Sequence, residues 1–116
     1  MRLNCIILSV GTPDDLAVAR RWYEASLGLR VNSVVPDHSV WLDLGADAEL
    51  GLHVGEPVGT PEQLIVGLQV DDVDRSYDEL RGRGVVFDGP PEDREWGRRA
   101  ATTDPTGHTV YITSAR

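Results

Sequence analysis

The sequence predicts an α+β fold made of two βαβββ modules. A strand, a capped helix and three short strands occur in this order twice along the 116 residues. Leu8-Ser9-Val10 and Leu68-Gln69-Val70 hold the same place in the two copies, 60 residues apart. A chain of this length can also bury a core without disulfides or metals. Two such modules are expected to form curved mixed sheets around a cleft.

In the first copy, Cys5–Val10 is an apolar strand bounded by Gly11. Thr12-Pro13-Asp14-Asp15 is a good helix start, because it supplies a cap, a proline at the first helical position and acid near the positive helix end. The helix carries one apolar face and stops at Gly28. Turn-forming residues then separate three predicted strands: Val31–Val35, Ser39–Leu44 and Leu50–Val54.

The second copy repeats this order. Leu64–Val70 is a strand, Asp71-Asp72 opens a helix, and Gly82 and Gly84 close it. The acidic run Glu92–Glu95 is predicted as a solvated loop. The three further strands are Val85–Phe87, Ala100–Thr103 and Thr109–Thr113.

These boundaries predict one domain, with module one at 1–55, a linker at 56–63 and module two at 64–116. The linker is rich in proline, glycine and acid, as exposed linkers are. No apolar run approaches the ~20 residues of a membrane span, and the N-terminus lacks the pattern of a secretory signal. The single cysteine, Cys5, excludes an intramolecular disulfide. A cytoplasmic protein with no membrane partner is expected.

The formal net charge is −8. An acidic surface disfavours nucleic acid, because phosphate contacts need a basic footprint. Two interpretations of the acid stay open: it keeps the protein soluble, or it serves a cationic ligand.

Several segments carry motifs in a fixed order. Ala19–Leu29 holds an aromatic-Tyr pair and ends in Leu-Gly-Leu, Val70–Asp74 begins the second helix, and Arg83–Val85 follows it. Trp96–Arg99, followed by Asp104–His108, has a Trp-Gly-x-Arg … Asp-Pro-x-Gly pattern. The chain resembles the glyoxalase/bleomycin-resistance (vicinal oxygen chelate) superfamily, closest to its bleomycin-resistance branch. The last motif is also a tight turn joining the final two strands. The resemblance implies a homodimer, and the sequence leaves open a monomer whose own two halves pack together.

Enzymes of that superfamily bind a divalent metal at positions that correspond here to Cys5, Gly51, Ile65 and Tyr111. None of these residues is His, Glu or Asp, whereas a catalytic metal needs about three protein ligands. We therefore predict no metal and no other cofactor. His53 shares a strand face with Gly51, so Cys5 and His53 are the candidates for an alternative half-site.

Side-chain alternation predicts which residues line the cleft. The predicted lining is mixed, as in a ligand pocket, rather than uniformly apolar. Its aromatic rings could stack on a planar or cationic ligand, and its carboxylate could supply charge. The candidate ligand-binding residues are Trp41, Asp43, His53, Gln69, Trp96 and Tyr111.

These observations leave three alternative functions. The first is a metal-independent protein that sequesters a small cationic or aromatic molecule, as bleomycin-resistance proteins do. The second is a divalent-metal-dependent lyase, isomerase or dioxygenase with an unusual metal site. The third is an interaction module that keeps the fold without a pocket.

Overall fold

The computed structural model of the chain describes residues 2–56 and 64–115. The chain divides into a first unit, Met1–Val58, and a second unit, Gly59–Arg116. The predicted linker, 56–63, lies outside the described residues except for Glu56. The first unit contains β1 (Cys5–Gly11), α1 (Pro13–Arg21), β2 (Val31–Val35), β3 (Ser39–Gly45) and β4 (Ala48–Val54). The second contains β5 (Ile65–Gln69), α2 (Val73–Gly82), β6 (Glu92–Arg94), β7 (Gly97–Thr103) and β8 (Thr109–Ser114).

The sheet of the first unit has the strand order β1-β4-β3-β2, with β1 parallel to β4 and the other pairs antiparallel. Helix α1 packs on one face of this sheet. Strands place alternate side chains on opposite faces, so every second apolar residue meets the helix. The buried apolar residues of this unit are Leu8, Val10, Leu16, Ala19, Tyr23, Val40, Leu42, Leu50 and Leu52.

Helix α1 begins with a capping box. The Thr12 hydroxyl accepts a hydrogen bond from the Asp15 N–H at 3.2 Å, and the Asp15 carboxylate accepts one from the Thr12 N–H at 2.9 Å. The bonds from the Thr12 backbone and side chain lower the pKa of Asp15 below its ordinary value. The helix then widens into a π-helical turn, Trp22–Ser26, in which the Leu27 N–H donates to the Trp22 carbonyl at 2.9 Å. Gly28 follows with φ of 80°, so the predicted stop is confirmed.

The second unit repeats the architecture. Its strand order is β5-β8-β7-β6, with β5 parallel to β8, and α2 packs against β7 and β8. The Asp72 side chain caps α2 by accepting from the Arg75 N–H at 3.2 Å. The core of this unit consists of Val66, Val73, Leu80, Val85, Ala100, Val110 and Ile112.

The predicted position of one strand in the second module is wrong. Val85–Phe87 is not a strand, because only Phe87 forms an isolated bridge, to Thr102, and Val86 is 81% exposed. The edge strand is instead β6, within the run predicted as a loop. All three β6 residues are charged and exposed, as suits an edge strand, so an apolar pattern cannot reveal it. Strand β7 also begins at Gly97, ahead of the predicted Ala100.

No helix within residues 2–56 and 64–115 is long and apolar enough to cross a membrane.

Candidate ligand-binding site

Each sheet has a second face, opposite its helix. In the first unit, strand register places Gly51 between Ile7 on β1 and Trp41 on β3. The Trp41 indole covers Gly51 so closely that a Cβ built there would lie 2.8 Å from Cζ3 of the ring. Trp41 thus fills the middle of this face with its own side chain.

The second unit has the opposite distribution of large and small residues. Register places Tyr111 on β8 between Gly67 on β5 and Ala101 on β7. A Cβ built at Gly67 would meet no heavy atom within 4 Å. The Tyr111 ring therefore has open space beside it.

A cavity of about 340 Å³ lies against this ring, within the second unit. The Arg99 guanidinium covers Tyr111, with Cζ 4.4 Å from the ring centroid, in cation–π geometry. Apolar, hydroxyl and charged groups all contribute to the walls, a composition typical of ligand pockets. The lining residues are Ile65, Asp88, Gly89, Pro90, Glu92, Arg99, Ala101, Thr109 and Tyr111.

Arg98, next to Arg99 in β7, points to the opposite face of the sheet and forms ion pairs there. Arg98 Nε and Nη2 each donate to an Asp74 carboxylate oxygen at 2.9 Å, and Nη1 donates to Asp93 at 3.1 Å. These bonds tie β7 to the start of α2 and to β6. The hydrogen bonds from Arg98 lower the pKa of Asp74 below its ordinary value. The same bonds, together with the bond to Asp93, raise the pKa of Arg98 above its ordinary value.

Three predicted site residues lie on the open face of the first sheet. Trp41 packs on Gly51, and His53 packs edge-to-face on His38 with ring centroids 4.5 Å apart. Asp43 holds the β3–β4 hairpin, because its Oδ1 accepts from the Gly45 N–H at 2.8 Å and its Oδ2 lies 3.4 Å from Arg30. None of them lines the Tyr111 cavity.

The other three predicted residues belong to the second unit. Tyr111 lines the cavity, and Gln69 lies on the same sheet face, paired with Thr113. Trp96 is 59% exposed in the β6–β7 turn and does not line the cavity. Sequence reasoning missed Arg99. Extending β7 back to Gly97 and applying strand alternation would have placed Arg99 on the Tyr111 face.

The superfamily's divalent metal does not fit the corresponding residues. Gly51 and Ile65 have no donor side chain, and the Trp41 indole occupies the space that a longer ligand at Gly51 would need. The structure also keeps Cys5 and His53 apart. Cys5 pairs with Glu49, whereas His53 pairs with Ser9, so the two are offset by four residues along the strands, which is ~13 Å at about 3.3 Å per residue. Within 2–56 and 64–115, no group of three or more His, Cys, Asp or Glu is arranged to hold a metal.

Gly51→Ala is expected to destabilise the protein, because the new Cβ collides with the Trp41 ring. Overpacking of this kind costs about 1–3 kcal/mol, partly offset by the ~0.5–1 kcal/mol that alanine gains over glycine in a strand. Urea unfolding followed by circular dichroism measures the net loss. Gly67→Ala is the matched control, since its Cβ meets no neighbour. Equal stability of the two variants would mean that the indole moves aside at no cost.

Comparison with known families identifies the class of protein. The model of the Glyoxalase/Bleomycin resistance protein/Dioxygenase superfamily matches residues 9–112. The chain belongs to this superfamily, as the paired βαβββ units and their sheet order suggest.

Individual relatives support the same assignment. TnmS3, an antibiotic-binding protein from Streptomyces sp. CB03234, is 30% identical and superposes with a TM-score of 0.81, covering 100% of this chain and 97% of TnmS3. The lactoylglutathione lyase of Agrobacterium tumefaciens shares the fold at 17% identity, with a TM-score of 0.78 over 97% of this chain and 92% of the lyase. The YraH protein of Bacillus subtilis (strain 168) is 27% identical, covering 85% of this chain and 89% of YraH.

Proposed function

We propose that this protein binds a small organic molecule at the Tyr111 cavity without a metal ion, and that it sequesters this ligand rather than converting it. The observation that carries the proposal is the arrangement around Tyr111. The aromatic ring borders a cavity of about 340 Å³, has open space over Gly67 and carries the Arg99 guanidinium. Aromatic surface with a few placed polar groups is typical of small-molecule sites.

Two further observations support this proposal. TnmS3, which binds an antibiotic, is 30% identical over the full length of this chain, so the ligand we propose is of antibiotic type. The residues at the superfamily's metal positions also lack a suitable donor set, which favours binding over metal-assisted chemistry.

Thermal unfolding with a panel of antibiotics tests the proposal. The panel spans ligand charge and contains metal-free bleomycin, a tetracycline, an anthracycline and the aromatic carboxylate nalidixic acid, each at a concentration near 100 times an assumed micromolar Kd. A ligand at 100 times its Kd stabilises the folded state by about 2.7 kcal/mol. For a domain of this size, that raises the Tm by ~10 °C or more.

The controls separate binding from metal chemistry. Tyr111→Ala is expected to unfold cooperatively but to lose the ligand response. EDTA treatment is expected to change neither the Tm nor the ligand response, and zinc, nickel, manganese or ferrous iron added without an antibiotic is expected to leave the Tm unchanged. One tightly held metal per chain, together with loss of ligand binding in EDTA, would overturn the metal-independent proposal and favour the lyase or dioxygenase alternative.

A further inference from the structure

Arg99 lies opposite Glu92 in the β6–β7 ladder, but Glu92 forms its ion pair with Arg94 and not with Arg99. Arg99 forms no ion pair with any carboxylate in the described part of the chain, and its guanidinium contacts the Tyr111 ring. Arg81 likewise contacts a ring, that of Tyr77, but it is exposed, whereas Arg99 is half-buried. The ion-paired arginines of the described residues include Arg2, Arg20, Arg30, Arg75, Arg94 and Arg98.

The Arg99 guanidinium donates no hydrogen bond to any residue within 2–56 and 64–115, so its donor groups are available to a ligand. A guanidinium is planar and carries five N–H donors at its edge, in a fork that matches a carboxylate. Contact with the Tyr111 ring, 4.4 Å from Cζ to the ring centroid, holds the side chain in place, so its donors need less ordering when a ligand arrives. The same cavity offers apolar surface at Ile65, which is 39% exposed, and at Ala101.

We propose that the Tyr111 cavity recognises an aromatic acid: the ligand's anionic oxygens pair with Arg99, and its ring lies on the apolar wall formed by Ile65 and Ala101. This inference rests on the proposed binding function and adds the chemical class of the ligand. It differs from the cationic ligand that the acidic composition suggested.

Two carboxylates, those of Asp88 and Glu92, also line the cavity. Glu92 is already engaged, because its Oε2 accepts from Arg94 at 2.8 Å. Asp88 is exposed, and its backbone N–H donates to the Ala101 carbonyl at 2.8 Å. Exposed charges are screened by water and salt. Arg99, half-buried on an aromatic face, is therefore the stronger determinant of ligand charge.

Three probes with the same ring system and different charge test this inference: 2-naphthoate, 2-naphthamide and 2-naphthylmethylammonium. Binding is followed by the amide signals of ¹⁵N-labelled protein at neutral pH and low salt. All shifts are expected to centre on β7 and β8. A hydrogen-bonded charge pair is stronger than a neutral bond, so 2-naphthoate should bind about tenfold more tightly than 2-naphthamide, and the ammonium more weakly than either.

Variants assign the preference to Arg99. In Arg99→Gln, we expect 2-naphthoate to lose about tenfold in affinity while 2-naphthamide changes little. Arg99→Lys should recover part of the loss, because lysine keeps the charge but not the planar fork. Asp88→Asn is the matched control and should not reverse the order of the probes. The charge series on the unaltered protein remains decisive if a variant fails to fold.

The outcomes distinguish this inference from the proposed function. Tighter binding of the ammonium, or an anion preference that survives in Arg99→Gln, would overturn the aromatic-acid inference. Shifts of Tyr111 with 2-naphthamide would then leave the binding function standing. Absence of cavity shifts with all three probes at millimolar concentration would overturn the aromatic-acid inference, whereas the absence of any Tm change with the antibiotic panel would overturn the binding function.

Discussion

Gly67→Val is expected to weaken 2-naphthoate binding at least tenfold while leaving the free energy of unfolding unchanged or slightly improved. Gly67 is not itself a lining residue, but it shares a sheet face with two of them, Tyr111 opposite it on β8 and Ile65 two residues earlier on β5, and its missing side chain leaves open space between them. Valine fills that space and fits a strand backbone well. Its effect on stability is small and favourable, up to about 1 kcal/mol, because glycine is a poor strand residue. Titration calorimetry and urea unfolding measure the two quantities separately.

Gly82→Ala is the control for this prediction. Gly82 also has no heavy atom within 4 Å of a built Cβ, but it lies at the end of α2, on the helix side of the second unit. We expect this variant to gain stability and to bind 2-naphthoate normally. If Gly67→Val binds as tightly as the unaltered protein, the space beside Tyr111 is not where the ligand lies.

Asp104→Ala is expected to destabilise the protein by about 3 kcal/mol. Asp104 is 3% exposed, and its Oδ1 accepts from the Thr106 N–H, the Thr106 hydroxyl and the His108 N–H at 2.9, 3.0 and 3.0 Å. A hydrogen bond to a charged group contributes about 1.5–3 kcal/mol. The three donors share one oxygen in a half-exposed turn, so their contributions do not add, and we expect a loss near the upper end of the value for a single bond. The midpoint of urea unfolding measures the loss.

Asp104→Asn is the matched variant, because an amide keeps the Oδ1 acceptor that all three donors use. We expect it to cost about 1 kcal/mol, the smaller loss that follows from exchanging a charged acceptor for a neutral one. Equal losses in the two variants would contradict the turn-holding role. The position of this turn matters for the site, since it joins β7, which carries Arg99, to β8, which carries Tyr111.

The two units share one architecture, but their sheet faces opposite the helices differ in where the large side chains lie. Gly51 and Tyr111 hold the same place in the two copies, 60 residues apart. In the first unit a glycine there receives the Trp41 ring, and in the second the tyrosine projects next to Gly67. The exchange of large and small side chains at matching positions closes the middle of one sheet face and opens a cavity on the other.

The sequence by itself determined the two βαβββ modules, because their signals are local. Helix caps at Thr12 and Asp72 and the alternation of buried strands depend on neighbours a few residues away. The charged edge strand Glu92–Arg94 escaped detection because a strand with no buried side has no apolar alternation to detect.

Only the tertiary structure decided which side chains form a site. Arg99 and Tyr111 meet because β7 pairs with β8 in a register that places Ala101 opposite Tyr111. Register depends on turn geometry and on packing of the whole sheet against its helix, and a shift of one residue would move every side chain to the other face. Asp43 belongs to the sheet of the first unit and Trp96 to the β6–β7 turn, and neither is among the residues that line this cavity.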